Sequence, residues 1–268
     1  MAAVAAVSMC RDEVDIAEGV LRRMASQVDF LIVADNGSTD GTRDLLHDLA
    51  SDLPLTILDD PEVGYFQSRK VTGLASIAGD RGADWVVPHD FDEVWATTGR
   101  VGDVLAELPP EAMIAEATLF DHVATGKDPD GPPLERLGWR RTAPAPLRKV
   151  AVRPRPGLTI HQGNHSATFA GVSRPLSHTG SLEIRHFPYR SPEQVVRKVR
   201  NGAAAYAATD LPPELGAHWR GWGRILDEQG EQAIHDLFHK WFFREDPRLE
   251  IEIEGERQPA LVYDPCPL

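Results

Sequence analysis

Short apolar runs and helix-spaced apolar residues alternate through the first hundred positions. Val4–Ser8 is a run fit for a buried strand, and Val14, Ala17, Val20, Leu21 and Met24 then recur on one helical face. Phe30–Ala34 is a second run, stopped by Asp35-Asn36-Gly37, which is turn chemistry. Ser38 or Thr39 is placed to cap a helix carrying Leu45, Leu46 and Leu49 on one side. Leu55–Leu58 reads as a third strand, a helix with Val71, Leu74, Ala75 and Ala78 inward follows, and Asp84–Val87 reads as a fourth strand. Strands apolar on both faces and separated by helices predict an α/β fold, a mostly parallel sheet covered on two sides.

Beyond Asp92 the pattern loosens. Met113–Phe120, Lys149–Arg153, Leu158–His161, Ser166–Ala170 and Leu182–His186 read as strands, and Gly126–Pro146 as a long surface loop able to act as a lid. Ser191-Pro-Glu-Gln194 predicts a helix start, with Ser as N-cap, Pro in the first turn and Gln closing a capping box. Val195, Val199, Ala203 and Tyr206 share one side of that helix. From Pro213 the tail reads as helical, with Ile225, Ile234, Leu237 and Trp241 available to dock.

Charge and cysteine content narrow the partners. In 268 residues, 28 Lys plus Arg stand against 41 Asp plus Glu, a net charge of −13. That excess repels nucleic acid and anionic lipid, so any anionic ligand must meet a local cluster of basic residues. Cys10 and Cys266 cannot build a disulfide framework and fit a reducing compartment. The opening run has no basic n-region and is too short to span a bilayer, so a cytoplasmic protein without a transmembrane segment is expected.

Ligands of open α/β sheets bind at the carboxyl ends of the strands. Three acidic clusters fall there: Arg11-Asp12-Glu13, Asp35-Asn36 and Asp90-Phe91-Asp92-Glu93. The dinucleotide glycine fingerprint is absent after the first strand, no phosphate-binding P-loop occurs, and the Gly-rich loop of sugar nucleotidyltransferases is missing. His161-Gln-Gly-Asn-His165 has zinc-like spacing, but Gly163 and the flanking Thr and Ser favour a loop.

Val33-Ala-Asp-Asn-Gly-Ser-Thr-Asp-Gly-Thr42, with Asp90-Phe-Asp-Glu93 further on, resembles the family-2 glycosyltransferases with the GT-A fold. The similarity continues through Lys149–Arg153 to Arg185-His-Phe-Pro-Tyr-Arg-Ser191, which is similar to an element of a bacterial subgroup with an Asp-x-Asp-Glu motif. The resemblance implies a GT-A domain over 1–205, with 1–95 as the nucleotide-binding half and 96–205 as the acceptor half. Residues 206–268 would form a helical C-terminal extension.

The same resemblance implies site roles. Asp92 is the expected ligand of Mn²⁺ or Mg²⁺, with Asp90 on the nucleotide or sugar, and a hard cation beside a diphosphate suits such carboxylates. Asp35 would contact the uracil or ribose, although a plain turn-former serves equally well there. His186 would complete the metal shell, and His165 is second in line or lines the acceptor side. Arg190 and Lys198 are expected at the leaving diphosphate, with Gln67 and Lys70 as a second candidate group; an exposed helix face is the alternative for both. The family's acidic string for the catalytic base is missing, which leaves Glu183 and Asp121 as candidates.

The expected function is metal-dependent, inverting transfer of a sugar from a nucleotide-diphosphate donor to a carbohydrate, lipid-linked or natural-product acceptor. A non-catalytic nucleotide-sugar or glycan-binding homologue, and a metal-dependent hydrolase of glycosides or nucleotide sugars, are the rival readings.

Overall fold

A computed structural model of the chain describes residues 2–253 and 256–266. Its first part runs β1 (Val4–Cys10), α1 (Val14–Gln27), β2 (Phe30–Asp35), α2 (Thr42–Leu49), β3 (Leu55–Asp59), α3 (Gln67–Asp80), β4 (Trp85–Pro88), β5 (Glu93–Ala96) and α4 (Val101–Ala106). The middle holds β6 (Ile114–Asp121), β7 (Ala124–Thr125), the single turn α5 (Pro133–Arg136), β8 (Trp139–Arg141), β9 (Lys149–Val152), β10 (Leu158–Ile160), β11 (Ala167–Phe169) and β12 (Ser177–His186). The tail comprises α6 (Pro192–Ala207), α7 (Ala217–Gln229), α8 (Glu231–Trp241), β13 (Phe243–Arg244), β14 (Glu250–Ile253), β15 (Glu256–Pro259) and β16 (Leu261–Tyr263).

Eight strands share one sheet in the order β3-β2-β1-β4-β9-β6-β12-β5. The β3-β2-β1-β4 half is parallel, as the alternation of strands and helices predicts. The other half is mixed: β9 runs antiparallel to β4 and β6, β12 lies parallel to β6, and β5 closes the edge antiparallel to β12. This is the mixed α/β class with helices on both faces.

The two-sided burial follows from the period of the strands. Val4 and Ala6 of β1, with Leu31 and Val33 of β2, join a core with Ile16, Val20 and Leu21 of α1 and Leu46 of α2. Their neighbours Ala5, Val7, Ile32 and Ala34 join a second core with Val71, Leu74 and Ala78 of α3 and with β10 and β11. Each of Val4–Val7 and Leu31–Ala34 is therefore apolar, because neither face meets water.

Three local expectations change. Gly126–Pro146 is not an open lid: Gly126 N donates to Arg244 O at 2.9 Å, Leu134 and Leu137 are buried, and β8 pairs with β16. The tail is helical only to Trp241, which stays exposed; of the strands that follow, β13 pairs with β7 and β16 with β8, while β14 and β15 pair with each other. The helix α2 starts at Thr42 behind Gly41, and Asp40 rather than Ser38 or Thr39 serves its first turn, accepting from Thr42 N at 2.9 Å. The expected division at residue 205 falls inside α6, against which α7 and α8 both pack. No helix among the described residues is long and apolar enough to cross a membrane.

Candidate functional site

The turn after β1 is held by the turn after β2. Asp12 sits at a φ of 55°, a left-handed conformation that an Asx side chain tolerates. Its carboxylate accepts from Thr39 N at 2.7 Å and from Asn201 Nδ2 at 2.8 Å, while Ser38 Oγ accepts from Asp12 N at 3.0 Å. Glu13 N and Val14 N donate to Thr42 Oγ1 and Asp40 Oδ2, at 2.8 and 3.2 Å. The Asn-Gly-Ser-Thr-Asp-Gly-Thr string is thus a clasp that fixes the start of α1. Asp35 belongs to the same turn: it is buried, accepts from Ser38 N at 3.2 Å and meets Arg43 at 3.2 Å.

The turn between β4 and β5 carries the second acidic cluster. Asp90 is fully engaged, its Oδ1 accepting from Gln67 Nε2 at 2.7 Å and Asn164 Nδ2 at 3.1 Å, its Oδ2 from Lys149 Nζ at 2.6 Å. Lys149 also lies 2.8 Å from Glu93, whose carboxyl is fully buried. Burial pushes Glu93 up to about 7 against the pull of Lys149. Neighbouring His89 is buried, donates from Nδ1 to Asp90 O at 3.0 Å and is lowered to about 4 by burial.

Asp92 faces a different set of partners. Lys198 Nζ, from the second turn of α6, contacts its Oδ2, and His186 Nε2, at the end of β12, lies 3.6 Å from its Oδ1. The other ring nitrogen of His186 bonds Asp121 Oδ1 at 2.7 Å. Burial opposes charge on both residues. The cations Lys198, His186 and Arg190 nonetheless hold Asp92 far below the usual carboxylate range, and the carboxylates of Asp92 and Asp121 raise His186.

A cavity of about 610 Å³ opens over these groups at the carboxyl ends of β1, β2 and β4. Its lining is partly polar, with Asp12, Asn36, Asp90, Asp92, His186 and Lys198, and partly aromatic, with Tyr65, Tyr189, Tyr206 and Trp219. Of the residues singled out from sequence, Gln67, Asp90, Asp92, His165, His186 and Lys198 border this cavity. His165 is not gathered with Asp92; its Nδ1 is spent on Arg148 O at 2.8 Å.

Arg190, Lys70, Asp35 and Glu183 are placed elsewhere. Arg190 is 1% exposed and bound to Glu13 and Asp15, so it braces α1 instead of meeting a diphosphate. Lys70 pairs with Asp60 at 2.6 Å, Asp35 is closed off by Arg43, and Glu183 is exposed on the strand face opposite His186. Asp121 touches the cavity only through His186. The sequence assigned no role to Asp12, Glu13, Lys149, Arg197 or Asn201: Asp12 and Glu13 stand in an acidic cluster, Arg197 in a basic segment and Lys149 in a stretch of the resemblance, while Asn201 carries no local signal.

No protein-family model matches the chain, and no curated protein matches it. Among solved structures, S. aureus TarS is 12% identical over 84% of this chain and 44% of its own, with a TM-score of 0.40. The chain therefore spans less than half the length of that protein. S. aureus TarS 1–349 in complex with UDP is 13% identical over 85% of this chain and 72% of its own, with a TM-score of 0.40. GalNAc-T7 with UDP, GalNAc and Mn²⁺ is 11% identical over 94% of this chain and 60% of its own, with a TM-score of 0.38.

Proposed function

We propose that the chain is a glycosyltransferase of the GT-A type that binds a nucleotide-diphosphate sugar in the cavity and passes the sugar, with inversion, to an acceptor hydroxyl. One observation carries the reading: Asp92, His186 and Lys198 meet in the lining of the cavity at the carboxyl ends of β1, β2 and β4. In a protein of net charge −13, cations converging there answer the need for a local anion site.

The residues also fit the divalent ion that the GT-A resemblance implies. Asp92 Oδ1 and, in the neutral imidazole, His186 Nε2, 3.6 Å apart, would hold the ion, because both oxygens of Asp90 are engaged. No group of three or more His, Cys, Asp or Glu side chains is gathered for a metal among the described residues, so a diphosphate must supply the remaining ligands. Such an ion, when bound, would neutralise charge on the departing diphosphate.

The chain's own groups do the rest. Lys198 and Arg197 present cations to the anion, and the aromatic wall of Tyr65, Tyr206 and Trp219 offers flat faces to the acceptor. An acceptor proton needs a carboxylate free to take it. Among the described cavity carboxylates Glu214 is the one whose oxygens take no hydrogen bond, whereas Asp12, Asp90 and Asp92 are engaged.

The test is calorimetric titration of UDP, GDP and TDP, with Mn²⁺, with Mg²⁺ and with EDTA, on wild type and Asp92→Ala. Binding of one nucleotide, lost in the variant, is expected, and the matching nucleotide sugar should then be turned over faster with an acceptor than without. Turnover indifferent to acceptor would mean a hydrolase. Binding without turnover would mean a binding protein, and no binding at all would end the proposal.

A further inference from the structure

We infer that Lys198 is the resting counter-ion of Asp92 and holds the site closed to free divalent cations until a diphosphate is present; the inference rests on the donor-site reading above. Asp92 is 4% exposed, so a charge on it needs a partner from the protein. The partner comes from far along the chain: Lys198, on α6, contacts Oδ2 directly and is steadied by Pro188 O at 3.1 Å. An ammonium has three N–H bonds. Two are used here, and the third is left for a ligand.

The consequence for a cation follows from the donor set. A lone divalent ion would gain one oxygen of Asp92 and one nitrogen of His186, beside an ammonium already paired with the same carboxylate. Like charges at that range repel strongly in a buried site. Asp90 offers no relief, since Gln67, Asn164 and Lys149 occupy both of its oxygens. A diphosphate reverses the balance in two ways: its oxygens add the ligands the chain lacks, and its charge gives Lys198 a second anion to contact. Lys198 is thereby the residue that couples nucleotide binding to cation binding.

The experiment is calorimetric titration of Mn²⁺ alone, then Mn²⁺ in the presence of the nucleotide that binds best, on wild type, Lys198→Met, Lys198→Gln and Lys198→Arg, with melting curves to confirm folding. Lys198→Met should bind Mn²⁺ alone about tenfold tighter or more than wild type. Lys198→Arg, which keeps the positive charge, should resemble wild type. Lys198→Gln carries the same expectation as the Met variant should the latter not fold. Equal affinity for Mn²⁺ alone in wild type and both neutral variants overturns the inference, as does Mn²⁺ binding to wild type that a bound nucleotide does not strengthen. If a nucleotide binds equally well in EDTA, the inference falls while the donor site stands. If no nucleotide binds but the neutral variants gain Mn²⁺, the ion pair acts as inferred and the donor reading falls.

Discussion

Removing the guanidinium of Arg190 tests whether it braces the fold or serves a ligand. Arg190 is 1% exposed, contacts Glu13 Oε2, donates to Asp15 at 2.7 and 3.0 Å and to Phe187 O at 3.1 Å. In Arg190→Met the methylene stem is roughly kept and the charge is lost. Asp15 retains Arg197 at 2.9 Å, so Glu13 is the carboxylate left without its partner. Breaking a buried pair from one side costs about 3–5 kcal/mol, and a single orphan puts this case near about 3 kcal/mol. At a urea m-value of about 3 kcal/mol/M, the midpoint should fall by about 1 M, read by circular dichroism at pH 7.5.

Two controls sharpen that result. Burial already raises Glu13 despite Arg190, and without the cation it rises further. The folded state of the variant then binds a proton more readily than the unfolded state, so the deficit shrinks as the pH falls toward 5. Glu13→Gln combined with Arg190→Met removes the orphan charge and should recover part of the loss. An Arg190→Met midpoint within about 0.5 kcal/mol of wild type would refute the reasoning, because a ligand-facing arginine costs little when deleted.

Ser191→Ala should cost about 1 kcal/mol in melting experiments, since Ser191 Oγ accepts from Gln194 N at 3.2 Å, and Ser191→Gly a few tenths; equal melting of Ala and wild type would remove the cap from the account. His122 is buried against Phe187, donates from Nδ1 to Leu137 O at 2.7 Å and is lowered by burial to about 4. Its folded value lies below the unfolded 6.5, so stability should be intact above about pH 6.5 and fall by about 3 kcal/mol on acidification to pH 4. His89, also lowered to about 4, should add a similar loss, and His122→Asn, which keeps an amide donor near Nδ1, should remove about half of the slope. An unchanged slope in that variant would show that His122 is not the group titrating.

The parallel half of the sheet was legible because its signal is local. Each residue of Phe30–Ala34 is apolar since α1 and α2 cover one face and α3 the other, and period and composition state that directly. The β9, β6, β12 and β5 half was only partly legible, since its pairings join segments far apart in sequence. Glu93–Ala96 reads as the end of a motif and is in fact the edge strand bonded to Glu183–His186. The Ser191 cap is where Ser191-Pro192 predicts it, but Gln194 accepts from Arg190 N instead of closing the box on Ser191. At the site, acids were easier to find than cations. Asp90 and Asp92 stand in a motif, whereas Lys149 carries no local sign that it is Asp90's partner across 59 positions. Arg190 was misread for the same reason: its charge suggested a ligand, and only burial against Glu13 and Asp15 shows it spent.

One group of this acidic chain's cations is placed where α6 meets the ends of β1 and β4. Arg190, Arg197, Lys198 and Asn201 come from α6 and the turn that leads into it, and their partners Asp12, Glu13, Asp15 and Asp92 come from the ends of β1 and β4 and the start of α1. Without α6 in place those carboxylates would lose the cations that offset their charge. Docking of α6 therefore does more than bury Val195, Val196 and Val199. The same contact neutralises the strand ends, sets Lys198 on Asp92 and brings Tyr206 to the cavity wall.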